Sequence, residues 1–95
     1  MKMILIIADA DRLDALRADL HALGAPGYSL FPVVEGEGRT GVHAGDRVHP
    51  GALAALVVVA EDREAARLFD QLVARRDAAG DRITRLFMLP VERQA

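Results

Sequence analysis

The sequence predicts an α+β fold with the element order β-α-β-β-α-β and a four-stranded antiparallel sheet. Three observations predict it. Two uninterrupted apolar runs, Met3 to Ile7 and Ala52 to Ala60, have strand length and no polar residue on either face. Each is followed by a stretch whose apolar residues recur at helical spacing. The two remaining strand-like stretches each hold a proline, Pro32 and Pro90. Proline cannot donate to a ladder, so both belong at sheet edges.

The elements follow in order. Met3 to Ile7, rich in β-branched Ile, is the first strand. Asp9 and Asp11 then offer cap oxygens to a helix carrying Leu13, Leu16, Leu20 and Leu23 inward, with Asp14, Arg17 and Asp19 outward. Gly24 ends that helix, and Pro26-Gly27 makes the turn into a second strand, Tyr28 to Val34. From Glu35 to Gly51 come five glycines, a proline and two histidines without apolar periodicity. A loop of that length is expected either to carry function or to be mobile. Ala52 to Ala60 is the third strand. Asp62, or Glu61 with Glu64, is expected to cap a second helix with the stripe Ala65, Phe69, Leu72 and Val73, flanked by Leu68. Arg75 and Arg76 meet its C-terminal dipole, Gly80 follows, and Ile83 to Val91 is the fourth strand. This is the split-βαβ, ferredoxin-like arrangement, with strands one and three central. The two proline-free runs fall at the centre.

Two helices cover only one face of such a sheet. The central strands are nevertheless apolar on both, with Ile4 and Ile6 on one side and Met3, Leu5 and Ile7 on the other. A closed oligomer that buries the open face is the expected remedy.

Composition narrows the function. At 95 residues and 52% hydrophobic, the chain is one domain, residues 1–95, and not a disordered segment. Twelve basic against fourteen acidic residues argue against a nucleic-acid binder. The absence of Cys excludes disulfides, thiolate metal clusters and thiol catalysis, and suits a reducing cytoplasm. The opening apolar run ends at Ala8, too short for a signal-peptide core or a membrane span.

Several motifs bear on chemistry. Gly36-Glu37-Gly38-Arg39-Thr40-Gly41 spells G-x-G-x-x-G, but Val42-His43-Ala44-Gly45 starts no helix, so a dinucleotide fingerprint is not expected. The glycines either let the chain peel away or turn backbone N–H groups toward an anion, with Arg39 alongside. His43, Asp46 and His49 form H-x-x-D-x-x-H, a donor set suited to zinc, nickel or copper at a spacing of no common site. His21 lies on the outer side of the first helix. Arg75, Arg76, Arg82 and Arg85 cluster around the turn into the last strand, where a phosphate or carboxylate is the sharper reading and a solvated edge the blander one. Ser29 has no base beside it, and no enzyme is expected.

Several stretches resemble the PII signal-transduction proteins and their PII-like relatives. Arg12-Leu13-Asp14-Ala15-Leu16-Arg17 is similar to the family's first helix, Gly27-Tyr28-Ser29 to its Gly-Met-Thr, and Val33 to Arg39 to the approach to its long T-loop. Leu86-Phe87-Met88-Leu89-Pro90-Val91-Glu92 resembles its last strand. The resemblance implies a cytoplasmic homotrimer without catalysis, binding an adenine nucleotide or related small anion between subunits. Its loop, residues 37–51, would dock on a transporter or enzyme. By the same resemblance Ser29 stands near the adenine, Gly36, Gly38 and Arg39 along the phosphates, and Arg85 in the basic B-loop beside Arg82. Thr40 stands where the family has a metal-coordinating Gln, Ala52 for its Lys, and Leu56 for its Glu. The B-loop stretch Asp81-Arg82-Ile83-Thr84 lacks the family's glycines, and the chain ends before its C-terminal arginines. An alternative resemblance is to CutA-like metal-tolerance trimers, which implies a divalent metal on His43, Asp46 and His49.

Overall fold

The computed structural model describes residues 1–33, 37–38, 41–42 and 52–95. The elements are β1 (Lys2–Asp9), a 3₁₀ turn (Ala10–Arg12), α1 (Leu13–Ala22), β2 (Ser29–Val33), β3 (Glu37–Gly38), β4 (Gly41–Val42), β5 (Leu53–Ala60), α2 (Asp62–Ala78) and β6 (Arg85–Pro90). The main sheet runs β2-β5-β1-β6 with every neighbour antiparallel. The two proline-bearing strands therefore lie at its edges, as the missing N–H of each proline requires. A separate two-stranded ribbon pairs β3 with β4 inside the segment expected to be loop.

Register decides which residues enter the core. Ile4 lies opposite Val58 and Ile6 opposite Leu56, and all four are buried. Against them pack Leu16 and Leu20 of α1 with Ala65, Leu68 and Leu72 of α2. Leu68, expected beside the stripe, is in fact fully buried at 0% exposure, whereas Phe69 is only partly covered. The helix meets the sheet along i, i+3 and i+7, so Ala65 and Leu72 fall as expected while Leu68 takes the place expected of Phe69.

The helix ends also differ from expectation at the N-terminal side. Asp9 caps the 3₁₀ turn, accepting from the N–H of Asp11, and α1 itself starts after Arg12 without a side-chain cap. Glu61 occupies the cap position of α2 but makes no capping bond. Asp62 instead takes the N-terminal ammonium of Met1. Both C-terminal ends fit the expected glycines. Gly24 (φ 72°) and Gly80 (φ 69°) adopt left-handed backbone. Each closes its helix with a paired motif: Gly24 to His21 and Ala25 to Leu20 in α1, Gly80 to Asp77 and Asp81 to Arg76 in α2. Arg75 of α2 then reaches Asp19 of α1 at 2.9 Å, and Arg67 donates to the Leu23 carbonyl at 2.6 Å.

The face away from the helices is mainly apolar, with Ser29 and Arg85 on its two edge strands. One row runs Phe87, Leu5, Val57 and Ser29; the next runs Leu89, Met3 and Val59. Phe31 is 53% and Phe87 48% exposed.

Candidate functional site

The turn between α2 and β6 is organised by one side chain. Asp81 closes the helix motif through its own N–H, which donates to the Arg76 carbonyl at 3.1 Å. Its Oδ1 accepts from the N–H of Ile83 at 2.9 Å and of Thr84 at 3.0 Å. Its Oδ2 accepts from the Thr84 hydroxyl and from Arg12 Nε, the latter at 3.2 Å. Thr84 is fully buried, and this contact satisfies its hydroxyl. Burial would raise the Asp81 carboxyl pKa. The Thr84 side chain, the two N–H donors and the Arg12 charge outweigh that and hold it below the ordinary aspartate range.

The arginines of this region do not form one basic cluster. Arg75 pairs with Asp19 and Arg76 with Asp77, while Arg76 also reaches the Thr84 carbonyl at 3.5 Å. Arg85 folds its Nη1 back over the turn, donating to the carbonyls of Arg82 at 3.0 Å, Thr84 at 3.2 Å and Ile83 at 3.5 Å. Arg82 is exposed and has no ion-pair partner among the described residues. Beside the turn lies an open groove of about 420 Å³ walled by Asp9, Asp11 and Arg12 on one side and Gly80 to Ile83 on the other. A second groove, of about 400 Å³ near Met1, Gly24 and Glu64, holds none of the residues expected to bind a ligand.

Of those expected residues, Arg82 and Arg85 share the turn. Ser29 does not join them. It opens β2 at the opposite edge of the sheet, opposite Val57, while Arg85 opens β6 opposite Ile7. Three inter-strand spacings of about 4.8 Å, roughly 14 Å, separate the two edge strands. Both residues stand on the open face, because their register partners Val57 and Ile7 do. Gly38 pairs with Gly41 in the β3–β4 ribbon. Gly36, Arg39, Thr40, His43, Asp46 and His49 lie outside the described residues. Among the described residues no group of His, Cys, Asp or Glu is placed to hold a metal ion. No helix among them is long and apolar enough to cross a membrane.

Sequence reasoning missed Asp81 and its partners Arg12 and Thr84. The spacing Asp-x-x-Thr directly after a helix-ending glycine was the available signal, since aspartate bonds its own backbone two and three residues on.

Residues 1–94 match the family described as nitrogen regulatory protein P-II. The chain belongs to that family. No curated protein matches the sequence. Solved structures give the same fold. CPII, a nitrogen regulatory PII-like protein of Thiomonas intermedia K12 bound to ADP, AMP and bicarbonate, superposes with TM-score 0.68 at 18% identity, over 97% of this chain and 88% of that one. A PII-like signalling protein of Thermus thermophilus gives 0.68 at 21% identity, over 95% and 84%. A DUF3240 family protein of Shewanella baltica gives 0.74 at 18% identity, over 99% and 92%. The chain is thus a divergent P-II protein whose ferredoxin-like architecture is kept at low identity.

Proposed function

We propose that this P-II chain is a non-catalytic, cytoplasmic regulatory homotrimer that binds a small anionic effector between subunits. An adenine nucleotide is the first candidate, and residues 37–51 carry the signal to a transporter or enzyme. The observation that carries this reading is the separation of Ser29 from Arg85. Both stand on the open face, but on opposite edge strands, with a band of Leu5, Ile7, Ala55 and Val57 on the two strands between them. A charged ligand gains nothing from lying across that apolar band. Two copies packed through their open faces bury the band and bring a Ser29 edge to an Arg85 edge. The effector cleft then belongs to the junction, not to one chain. The ADP and AMP bound by the Thiomonas protein support the choice of adenine nucleotides as first candidates.

A thermal-shift panel of ATP, ADP, AMP and bicarbonate tests the effector, with light scattering for the assembly. Ligand at about 100 Kd adds roughly 2.7 kcal/mol to stability. A mass of three chains and a rise in melting temperature with one nucleotide are expected. A monomer, or no rise with any of the four, overturns the reading.

A further inference from the structure

Four donors converge on the Asp81 carboxylate: two successive backbone N–H groups, a hydroxyl and a guanidinium. That set, adjacent turn amides with a cation beside them, is what a protein offers to a bound phosphate or carboxylate. Here it is already filled. We propose that Asp81 is the specificity-determining residue of this turn: its carboxylate is the resident anion of an oxyanion cradle and denies that cradle to any ligand phosphate or carboxylate.

The physical basis is competition within one chain. A tethered carboxylate faces its donors at high effective concentration, while a free oxyanion must lose translational freedom to take its place. Eviction also has nowhere favourable to send the displaced group. The Asp81 side chain is 5% exposed, and the groove outside is also lined by Asp9 and Asp11. Three carboxylates there face two guanidinium groups, Arg12 and Arg82, and Arg12 is committed to Asp81. Arg85 is likewise committed to three carbonyl oxygens of the turn.

This deepens the effector reading above and rests on it for one consequence only. An effector that reaches this turn meets the Arg82 side chain and not the backbone amides. The cradle itself rests on the hydrogen bonds of the turn alone.

The test uses inorganic phosphate as the probe, with the amide resonances of Ile83 and Thr84 followed by NMR at neutral pH. In the wild-type chain those two amides stay in place as phosphate is added. In Asp81→Gly they shift, and phosphate binds about tenfold tighter or more, the equivalent of one charge-assisted bond. Adding Arg12→Ala to that variant removes the gain. Should Asp81→Gly not fold, Asp81→Ala serves, because it removes both carboxylate oxygens and frees the two amides, the hydroxyl and Arg12 together. Saturable movement of both wild-type amides with phosphate that persists in Arg82→Ala overturns the proposal. So does a folded Asp81 variant that binds phosphate no better than wild type. Nucleotide thermal shifts on the wild type report the effector reading separately, so the two can fail independently.

Discussion

Arg12 Nε donates to Asp81 Oδ2 at 3.2 Å and so ties the start of α1 to the turn that launches β6. The two residues lie 69 positions apart, and Asp81 is nearly buried while Arg12 stays one-third exposed. Removing the carboxylate strands a buried hydroxyl, two turn N–H groups and one guanidinium at once. Asp81→Ala is expected to lower stability by about 2–4 kcal/mol in urea titrations. A loss under about 0.5 kcal/mol, typical of an exposed pair, means that the clamp carries no structural weight.

The same carboxylate predicts a limb of the acid stability curve. Its folded pKa lies below the ordinary aspartate value of 3.8, so the folded state binds the proton less readily than the unfolded chain. The contribution is therefore complete above the unfolded pKa and is lost as pH falls through the folded one. Between about pH 5 and pH 2 the wild type should lose more stability than Asp81→Asn. Asp62 and Glu64, also lowered, titrate alike in both proteins and cancel in the difference. Parallel acid limbs count against this account.

Leu5 and Ile6 are neighbours in β1 that serve different interfaces. Ile6 faces Leu56 in the core at 0% exposure, and Leu5 faces Val57 and Phe87 on the open side. Ile6→Ala should cost about 2–5 kcal/mol and leave the proposed homotrimer intact. Leu5→Glu should leave the chain folded and reduce its light-scattering mass from three chains to one. An unchanged mass in Leu5→Glu would remove the open face from the assembly.

Gly80 ends α2 at φ 69° with open space where a Cβ would stand. The strain of Gly80→Ala is thus purely conformational, and about 1 kcal/mol is expected from thermal unfolding. A neutral result implies that the turn rearranges, and the Ile83 and Thr84 amides, held by Asp81 in the wild type, should then exchange faster than in the wild type.

The two helices and the four strands of the main sheet, with their order, were written in the chain itself; the β3–β4 ribbon was not. Uninterrupted apolar runs of strand length, rich in β-branched residues, read as central strands, and Pro32 and Pro90 exclude their strands from the interior because a missing N–H breaks a ladder. Gly24 and Gly80 mark helix ends for an equally local reason: few residues other than glycine tolerate left-handed backbone. The apolar open face was legible too, since alternation in a strand is a property of the backbone. What local pattern could not supply was any arrangement that joins distant positions. Leu68 rather than Phe69 enters the core because α2 is rotated by its packing on β1 and β5. Arg75 and Arg85 look free in sequence, yet Asp19 and three turn carbonyls occupy them. Above all, the meeting of Arg12 with Asp81 depends on two helices lying on one face of the sheet. The strands, the edges and the need for a partner face follow from residue order alone. That the last turn is filled by its own anion follows from three-dimensional packing, because the Asp81 carboxylate gathers donors from both ends of the chain.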